Sequence, residues 1–245
     1  AKVIYEFTWS DYCDWYIEIS KTSFYKNEES YTNTVKIVSK YVLKKIIILL
    51  HPYAPFVTEE IWSKIKKQSD SDLIVTNWPI IDKKWINKSL ENEMKILKNL
   101  ISSVRTIRSQ MNVPPNRLCN MVVQCNNQQK SILNSHSLII KSLAKIDNID
   151  MTEDAKKPAQ AATAIVDNME IFIPLDGIID LDVEKSRLQK RINELNMHLV
   201  TVNNKLENKD FLKRAPEDVI LGEKDKKENM VLELEKITKN FDMIK

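Results

Sequence analysis

Glycine is almost missing from this chain. Only Gly177 and Gly222 occur in 245 residues, so no glycine-rich loop is available to wrap around a phosphate group. A doubly wound nucleotide-binding fold and an all-β sandwich with many tight turns also need glycines that this sequence lacks. With 43% hydrophobic and 29% charged residues, the sequence predicts a folded protein that is mainly α-helical.

The first 115 residues contain apolar residues at helical intervals. From about residue 31 to 50 these residues form one side of a predicted helix, and lysines recur every four residues on another side: Lys36, Lys40 and Lys44. A second long helix is predicted from residue 85 to 112, with an apolar stripe at spacings of 4, 3, 4 and 3. Arg105 and Arg108 are expected beside this stripe and largely outside it. Pro114-Pro115 is expected to end the helix.

The pattern changes after the two prolines. The segment LCNMVVQC predicts a strand, and residues 131–146 predict a helix. The segment ATAIVDNMEIFIPL predicts two strands joined at Asp167-Asn168, which is a polar turn pair. Residues 116–180 are therefore predicted to form a small α/β module that connects larger elements.

The last 65 residues have the most regular spacing in the chain. Apolar residues from Leu181 to Leu206 follow intervals of 7, 4, 3, 4, 3 and 4, and those from Met230 to Ile244 follow 4, 3, 4 and 3. Pro216 and Gly222 interrupt the pattern between the two runs. This spacing predicts an antiparallel two-helix coiled-coil hairpin about 40 Å long, and a free hairpin of this kind is also able to self-associate.

No catalytic or metal-binding pattern occurs in the sequence. The three histidines fall in different segments, and the three cysteines show no C-x-x-C spacing. We therefore expect no catalytic residue, no metal and no cofactor within these residues. Unpaired cysteines and the lack of a long apolar run predict a cytoplasmic protein. No cap precedes Ala1, which predicts that the chain is part of a longer protein.

The charge distribution favours a long anionic partner. Residues 1–115 and 183–214 carry more Lys and Arg than Asp and Glu, whereas residues 215–245 carry more acids. Two separate basic zones fit a polyanion that is touched in two places. Ordinary solvated helix faces produce similar counts, so charge alone leaves both interpretations open.

Four motifs in order resemble those of bacterial-type valyl-tRNA synthetases, a family of class I aminoacyl-tRNA synthetases. FTWSDYCDWYIEISK resembles the pattern F-x-W-x-x-F-C-D-W-Y-x-E, and LLHPYAPFVTEEIW resembles L-H-P-x-x-P-F-x-T-E-E-x-W. VRTIRSQMNVPPNR resembles V-R-x-x-R-x-x-M-x-x-x-P, and NKDFLKRAPEDVI resembles N-x-x-F-x-x-x-A-P-x-x-V. The four motifs span nearly the whole chain.

The resemblance implies the domain organisation and the partner. It implies a helical-bundle anticodon-binding domain at residues 1–115, a small α/β connector at 116–180 and a coiled-coil tRNA-binding arm at 181–245. Valine-specific tRNA is the implied partner. The family's ATP-site motifs, HIGH and KMSKS, do not occur here, so ATP and Mg²⁺ would be used by the parent enzyme outside this chain. The parent is expected to be a monomer.

The resemblance and the local charge together give candidate tRNA contacts. Near the anticodon end, the lysines of the first helix join the residues of the third motif: Lys36, Lys40, Lys44, Arg105, Arg108, Asn112 and Arg117. On the arm, the candidates for phosphate contacts are Lys185, Arg187, Lys190, Arg191, Lys213 and Arg214.

Two other functions stay open at this point. The heptad spacing also fits a helical scaffold whose coiled coil associates with another protein. The second motif is shared with related synthetases, so an isoleucyl- or leucyl-type anticodon domain is the third alternative. The APEDVI segment of the hairpin tip argues against that third alternative.

Overall fold

The computed structural model describes residues 1–22 and 29–244, apart from the side chains at positions 210 and 212. The chain divides into two compact units, Ala1–Asn92 and Glu93–Lys245. This division falls inside a helix, and the domain limits at residues 115 and 180 stay predictions. Within the described residues, no helix is both long and apolar enough to cross a membrane.

All regular elements described in the first unit are helices or helical turns. Its first helix is α1 (Lys2–Glu6), which runs without a break through a π-helical stretch into α2. The elements of this unit are α1, the π-helical stretch Phe7–Ile17, α2 (Glu18–Lys21), α3 (Glu29–Leu50), α4 (Pro55–Ile65), and short 3-10 turns at Leu73–Val75 and Lys83–Trp85.

Proline fixes where α4 begins. Pro55 occupies the first turn, where its missing N–H removes no helical hydrogen bond. Ile47 and Ile48 of α3 form a buried cluster with Trp62 of α4 and with Leu73. The indole of Trp62 donates to the carbonyl oxygen of Ser71 at 3.0 Å, which fixes the loop after α4 against this cluster.

Helix α5 (Lys88–Gln110) begins in the first unit and continues into the second. The apolar stripe predicted for it is confirmed from Leu97 onward, since Leu97, Ile101 and Val104 are fully buried, but its first residue, Leu90, is 50% exposed. The rest of the module consists of β1 (Cys119–Gln124), α6 (Asn127–Ser135), α7 (Ser137–Ala144), β2 (Ile146–Thr152), β3 (Ala161–Val166) and β4 (Met169–Pro174).

The four strands form one sheet in the order β2-β1-β4-β3. β1 and β2 are parallel and are joined by the two helices, whereas β4 runs antiparallel to both β1 and β3. Asp167 and Asn168 both have positive φ, so the predicted β3–β4 hairpin and its turn are confirmed. The single helix predicted at 131–146 is wrong, because the chain breaks at His136 and Ile146 already belongs to β2.

The C-terminal segment forms the predicted hairpin of two long helices. These are α8 (Leu181–Glu207) and α10 (Glu217–Met243), with the short α9 (Lys209–Arg214) between them. Each long helix has 27 residues, which corresponds to about 40 Å. Leu188, Leu195 and Val202 are buried along the seam. We call α8 to α10 the arm.

The mainly α-helical fold class predicted from the sequence is therefore confirmed, with a helical first unit, a small α/β module and a helical hairpin.

Candidate nucleic-acid interface

A pair of exposed aromatic rings lies beside a lysine in the first unit. The ring centroids of Tyr41, on α3, and Trp85, in the second 3-10 turn, are 5.2 Å apart. Lys45 Nζ lies 5.2 Å from the centroid of the Tyr41 ring, and Trp85 is 67% exposed. Unpaired nucleic-acid bases stack on exposed aromatic faces next to cations, so this pair has the chemistry of a base-binding surface.

Lys44 lies next to this pair but is held by other groups. It forms an ion pair with Asp70, and its Nζ lies 4.9 Å from the Trp62 ring centroid. The hydrogen bond from Lys44 lowers the pKa of the Asp70 carboxyl. Lys44, Tyr41 and Lys45 line one cleft of about 530 Å³. Lys44 therefore connects α3 to the loop after α4, its charge in the cleft is balanced by Asp70, and its RNA contact stays a prediction.

Lys36 and Lys40 lie further toward the start of α3. Both side chains are exposed, and neither forms a hydrogen bond or ion pair within residues 1–22 and 29–244. Because they are four residues apart, they lie on the same side of the helix. Their ammonium groups are available to a phosphate, and their role in RNA binding stays a prediction.

The two arginines of α5 have different environments. Arg105 is exposed, and its Nε donates to the carbonyl oxygen of Leu143 at 3.0 Å. This bond connects α5 to α7 and leaves part of the guanidinium at the surface. An RNA contact by Arg105 stays a prediction.

Arg108 is buried, with only 7% of its surface exposed. Its Nη2 donates to the carbonyl oxygens of Arg117 at 2.8 Å and Pro114 at 3.1 Å. Its Nη1 donates to Cys119 Sγ at 2.8 Å and to the carbonyl oxygen of Lys145 at 3.4 Å. This placement contradicts the predicted RNA contact at Arg108, because the residue is buried and both of its Nη groups already donate inside the protein. The arginine instead holds the loop between α5 and β1.

The end of α5 is set by hydrogen bonding before the two prolines. Val113 N donates to Arg108 O at 2.8 Å, and Asn112 N donates to Ser109 O at 3.3 Å. Asn112 has a φ of 48°, in the left-handed region that asparagine tolerates. These features form a Schellman motif. The prediction that Pro114-Pro115 ends the helix is therefore wrong: the prolines follow an end that already exists.

Asn112 contacts the arm. In one orientation of the amide, Asn112 Nδ2 lies 3.4 Å from Glu184 Oε2. In the opposite orientation, Asn112 Oδ1 takes that place and accepts from Arg187 Nε and Nη2 at 3.0 Å. Arg187 also donates to both carboxylate oxygens of Glu184, at 2.8 and 2.6 Å. Two residues predicted to contact tRNA at different places, Asn112 and Arg187, thus share one cluster. Both side chains keep some exposure, so their RNA contacts stay predictions.

Arg191 is also held by carboxylates. Its guanidinium donates to Glu233 Oε1 on α10 at 2.7 and 3.0 Å and lies 3.5 Å from Glu194. The pair with Glu233 joins the two long helices of the arm. Much of the positive charge counted along α8 is therefore neutralised within the arm, and any contact of Arg191 with RNA competes with these acids.

Four of the predicted arm residues have no acidic partner among the residues that the structure describes. Lys190, Lys213 and Arg214 are exposed, and Lys185 is half-buried. Lys213 and Arg214 lie in α9 at the far end of the hairpin, where Lys209 is exposed as well. We define the tip of the arm as Lys209, Lys213 and Arg214, three exposed basic residues within one short helix.

Sequence reasoning missed three residues of the interface, Tyr41, Lys45 and Trp85. The four-residue spacing of Tyr41 and Lys45 on α3 is a usable signal, because such residues are neighbours on a helix. Trp85 comes 44 positions after Tyr41, and no local pattern joins them.

Arg117 is exposed, as a residue that contacts tRNA has to be, but nothing in its surroundings assigns it a role. Within the described residues, no group of three His, Cys, Asp or Glu side chains is arranged to hold a metal ion.

The comparisons with known proteins agree with this arrangement. Residues 1–123 match the family described as the anticodon-binding domain of tRNA ligase, which is half of the chain. Residues 180–245 match the family described as the valyl tRNA synthetase tRNA binding arm. The chain therefore belongs to the family of tRNA-ligase anticodon-binding domains, and its last 66 residues match the arm family of the valine type.

Several curated proteins that are similar to this chain are named valine–tRNA ligase. The valine–tRNA ligase of Listeria innocua is 35% identical over 97% of this chain, and that of Bacillus subtilis is 33% identical over 99%. The valine–tRNA ligase of Geobacter sulfurreducens is 32% identical over 98% of it. The chain spans only about a quarter of the length of these relatives, 27 to 28%, and matches their C-terminal part.

Proposed function

We propose that this chain binds tRNA as the C-terminal part of a valine–tRNA ligase. The first unit would recognise the anticodon end, and the arm would contact the body of the same tRNA. The adenylation of valine and its transfer to tRNA would then use ATP and Mg²⁺ in the part of the enzyme outside these residues. We further propose valine tRNA as the specific partner and a monomer as the parent enzyme.

The observation that carries this proposal is the exposed Tyr41–Trp85 ring pair with Lys45 beside it. Single exposed apolar side chains are common, but the rings of Tyr41 and Trp85 together present a contiguous exposed aromatic surface, which is the kind of surface that marks binding sites. A base stacked on Trp85 would bury the ring, while Lys45 and the lysines along α3 would neutralise the adjoining phosphates. This combination suits unpaired bases, such as those of an anticodon loop, better than a regular duplex.

Stacking on Trp85 is tested by titrating the chain with valine tRNA at low salt. Trp85→Ala should weaken binding by about 5- to 150-fold, since one stacked base contributes about 1–3 kcal/mol. Trp78→Ala is the matched control, because Trp78 is also exposed but has no ring partner within the described residues. Equal affinities of the two variants would contradict the assignment of the ring pair.

The anticodon role is tested with a second RNA. The chain should bind valine tRNA more tightly than the same tRNA with an altered anticodon, and both affinities should fall steeply with salt because phosphate contacts release counterions. If the two RNAs bind equally, this chain does not read the anticodon.

A protein-associating scaffold is the second candidate. It is favoured by two exposed apolar residues on the outer side of α8, Met197 and Val200, which are 65% and 58% exposed. Light scattering separates the two functions. A stable dimer over a wide range of protein concentration would favour the scaffold, whereas a monomer that binds RNA would favour the tRNA-binding function.

A further inference from the structure

The cluster at the root of the arm contains a buried carboxylate. Glu184 lies in the first turn of α8, and only 6% of the residue is exposed. Arg187 donates to both of its oxygens, at 2.8 and 2.6 Å, and the amide of Asn112 lies against the pair. A buried carboxylate is costly unless it is paired, so this geometry holds Glu184 and Arg187 in one arrangement.

The cluster joins two elements that are distant in the sequence. Asn112 ends α5, and its backbone is fixed there by the Schellman motif. Glu184 and Arg187 belong to the first turns of α8, which is capped by Asp180: Asp182 N and Val183 N donate to the Asp180 carboxylate. The first turn of the arm is therefore held both by its own cap and by the end of α5.

The other helix of the arm is also anchored near its root. Ile244, just after α10, is fully buried, and Asn240 is only 7% exposed. The part of the arm toward the tip is less well packed than the root, since none of the described residues from 203 to 239 is buried. Because the arm is about 40 Å long, a rotation of about 10° at its root moves the tip by about 7 Å. The root therefore controls where the basic tip lies.

We propose that Asn112, Glu184 and Arg187 form a lock that fixes the direction of the arm relative to the α/β module. The three are positioning residues: they act on RNA binding through the location of the tip and make no contact with phosphate that matters for affinity. This inference rests on the proposed function for its RNA readout, but not for its structural readout. It also changes the role expected of Arg187, which is occupied by Glu184.

The lock and a direct contact predict opposite effects for Glu184→Gln. If Arg187 bound phosphate directly, removing the carboxylate that competes for it would strengthen RNA binding. If the three residues position the arm, the same change breaks the charge-assisted pair, broadens the range of arm directions and weakens binding. A glutamine has nearly the same size as a glutamate, so the comparison isolates the charge.

The RNA experiment is a titration of the 245-residue chain with valine tRNA at several salt concentrations. Glu184→Gln should weaken binding about fivefold or more, with the salt slope of wild type, because the number of phosphate contacts does not change. Glu207→Gln, which removes an exposed acid from the same helix, is the matched control and should bind at least as tightly as wild type. Tighter binding by Glu184→Gln would overturn the lock.

The structural experiment does not need RNA. Spin labels at Lys213→Cys and Asp154→Cys, in a Cys13→Ser background, report the distance between the tip and the α/β module. The distance distribution should broaden in Glu184→Gln and stay as in wild type in Glu207→Gln. An unchanged distribution in Glu184→Gln would overturn the lock.

A second variant keeps the test valid if Glu184→Gln does not fold. Asn112→Gly retains the left-handed backbone conformation and removes only the amide. It should also broaden the distance distribution and weaken RNA binding, and wild-type behaviour in both assays would exclude Asn112 from the lock. If wild type itself binds no tRNA, the proposed function fails, whereas the label distances still decide the inference.

Discussion

Replacing the buried Arg108 by methionine should strongly destabilise the second unit. Methionine fills a similar volume but cannot donate, so the carbonyl oxygens of Pro114 and Arg117 lose donors at 3.1 and 2.8 Å. A hydrogen bond from a charged donor contributes about 1.5–3 kcal/mol, and these two bonds dominate the loss. Since Lys145 O also loses a weaker bond, we expect a decrease of about 3–5 kcal/mol in the free energy of unfolding.

The assay is urea unfolding followed by far-ultraviolet circular dichroism. Arg117→Met is the control, because that side chain is exposed and its carbonyl oxygen remains, so its free energy of unfolding should stay within about 0.5 kcal/mol of wild type. If Arg108→Met were no more destabilising than Arg117→Met, the assignment of Arg108 as a buried anchor would be refuted.

Three further predictions concern single groups. Lys44 lowers the pKa of Asp70, so this ion pair stabilises the first unit at pH values above the ordinary Asp pKa of about 3.9, and the stabilisation is lost as the pH falls through the lower pKa of the folded protein. Asp70→Asn should therefore reduce the loss of stability in acid, and an unchanged dependence of the free energy of unfolding on pH would contradict this. Lys145 has a φ of 56°, so Lys145→Gly should raise the free energy of unfolding by about 0.5–1 kcal/mol in urea denaturation, whereas an unchanged or lower free energy of unfolding would show that no strain is stored there. Burial raises the pKa of the Cys119 thiol, so iodoacetamide should modify Cys119 far more slowly than the half-buried Cys13, and equal rates by mass spectrometry would disagree.

The sequence predicted elements whose signal is local. The heptad spacing of the last 65 residues predicts the hairpin because the period of the apolar residues is itself the packing surface. The β3–β4 hairpin follows from the polar pair Asp167-Asn168 between two apolar runs. In both cases the residues that decide the structure lie within a few positions of one another.

Strand β2 was missed for a physical reason. Its sequence, IDNIDMT, places Asp147, Asn148 and Asp150 at exposed positions on an edge of the sheet. Its apolar residues, Ile146, Ile149 and Met151, do not alternate regularly, and its parallel partner β1 lies on the other side of the crossover through α6 and α7, so no local pattern marks it as a strand. The π-helical stretch Phe7–Ile17 was missed as well, because an apolar pattern does not distinguish it from an α-helix.

The candidate site was predicted less well than the fold. Arg105 and Arg108 are one turn apart and look equivalent in the sequence, but the acceptors that bury Arg108 come from the loop and strand that follow. Asn112 and Arg187 are 75 positions apart, so no local spacing predicts their cluster. A positive residue in the sequence therefore identifies a possible phosphate contact only after its acidic and carbonyl partners are known.

We propose that one tRNA is bound at two separate surfaces of this chain, the first unit and the arm. Hydroxyl-radical footprinting of valine tRNA with the 245-residue chain tests it directly. We predict two separated protected segments, one of them at the anticodon loop, and Lys213→Glu with Arg214→Glu should remove only the other segment. A footprint without the anticodon loop, or one that both substitutions leave unchanged, would contradict the claim.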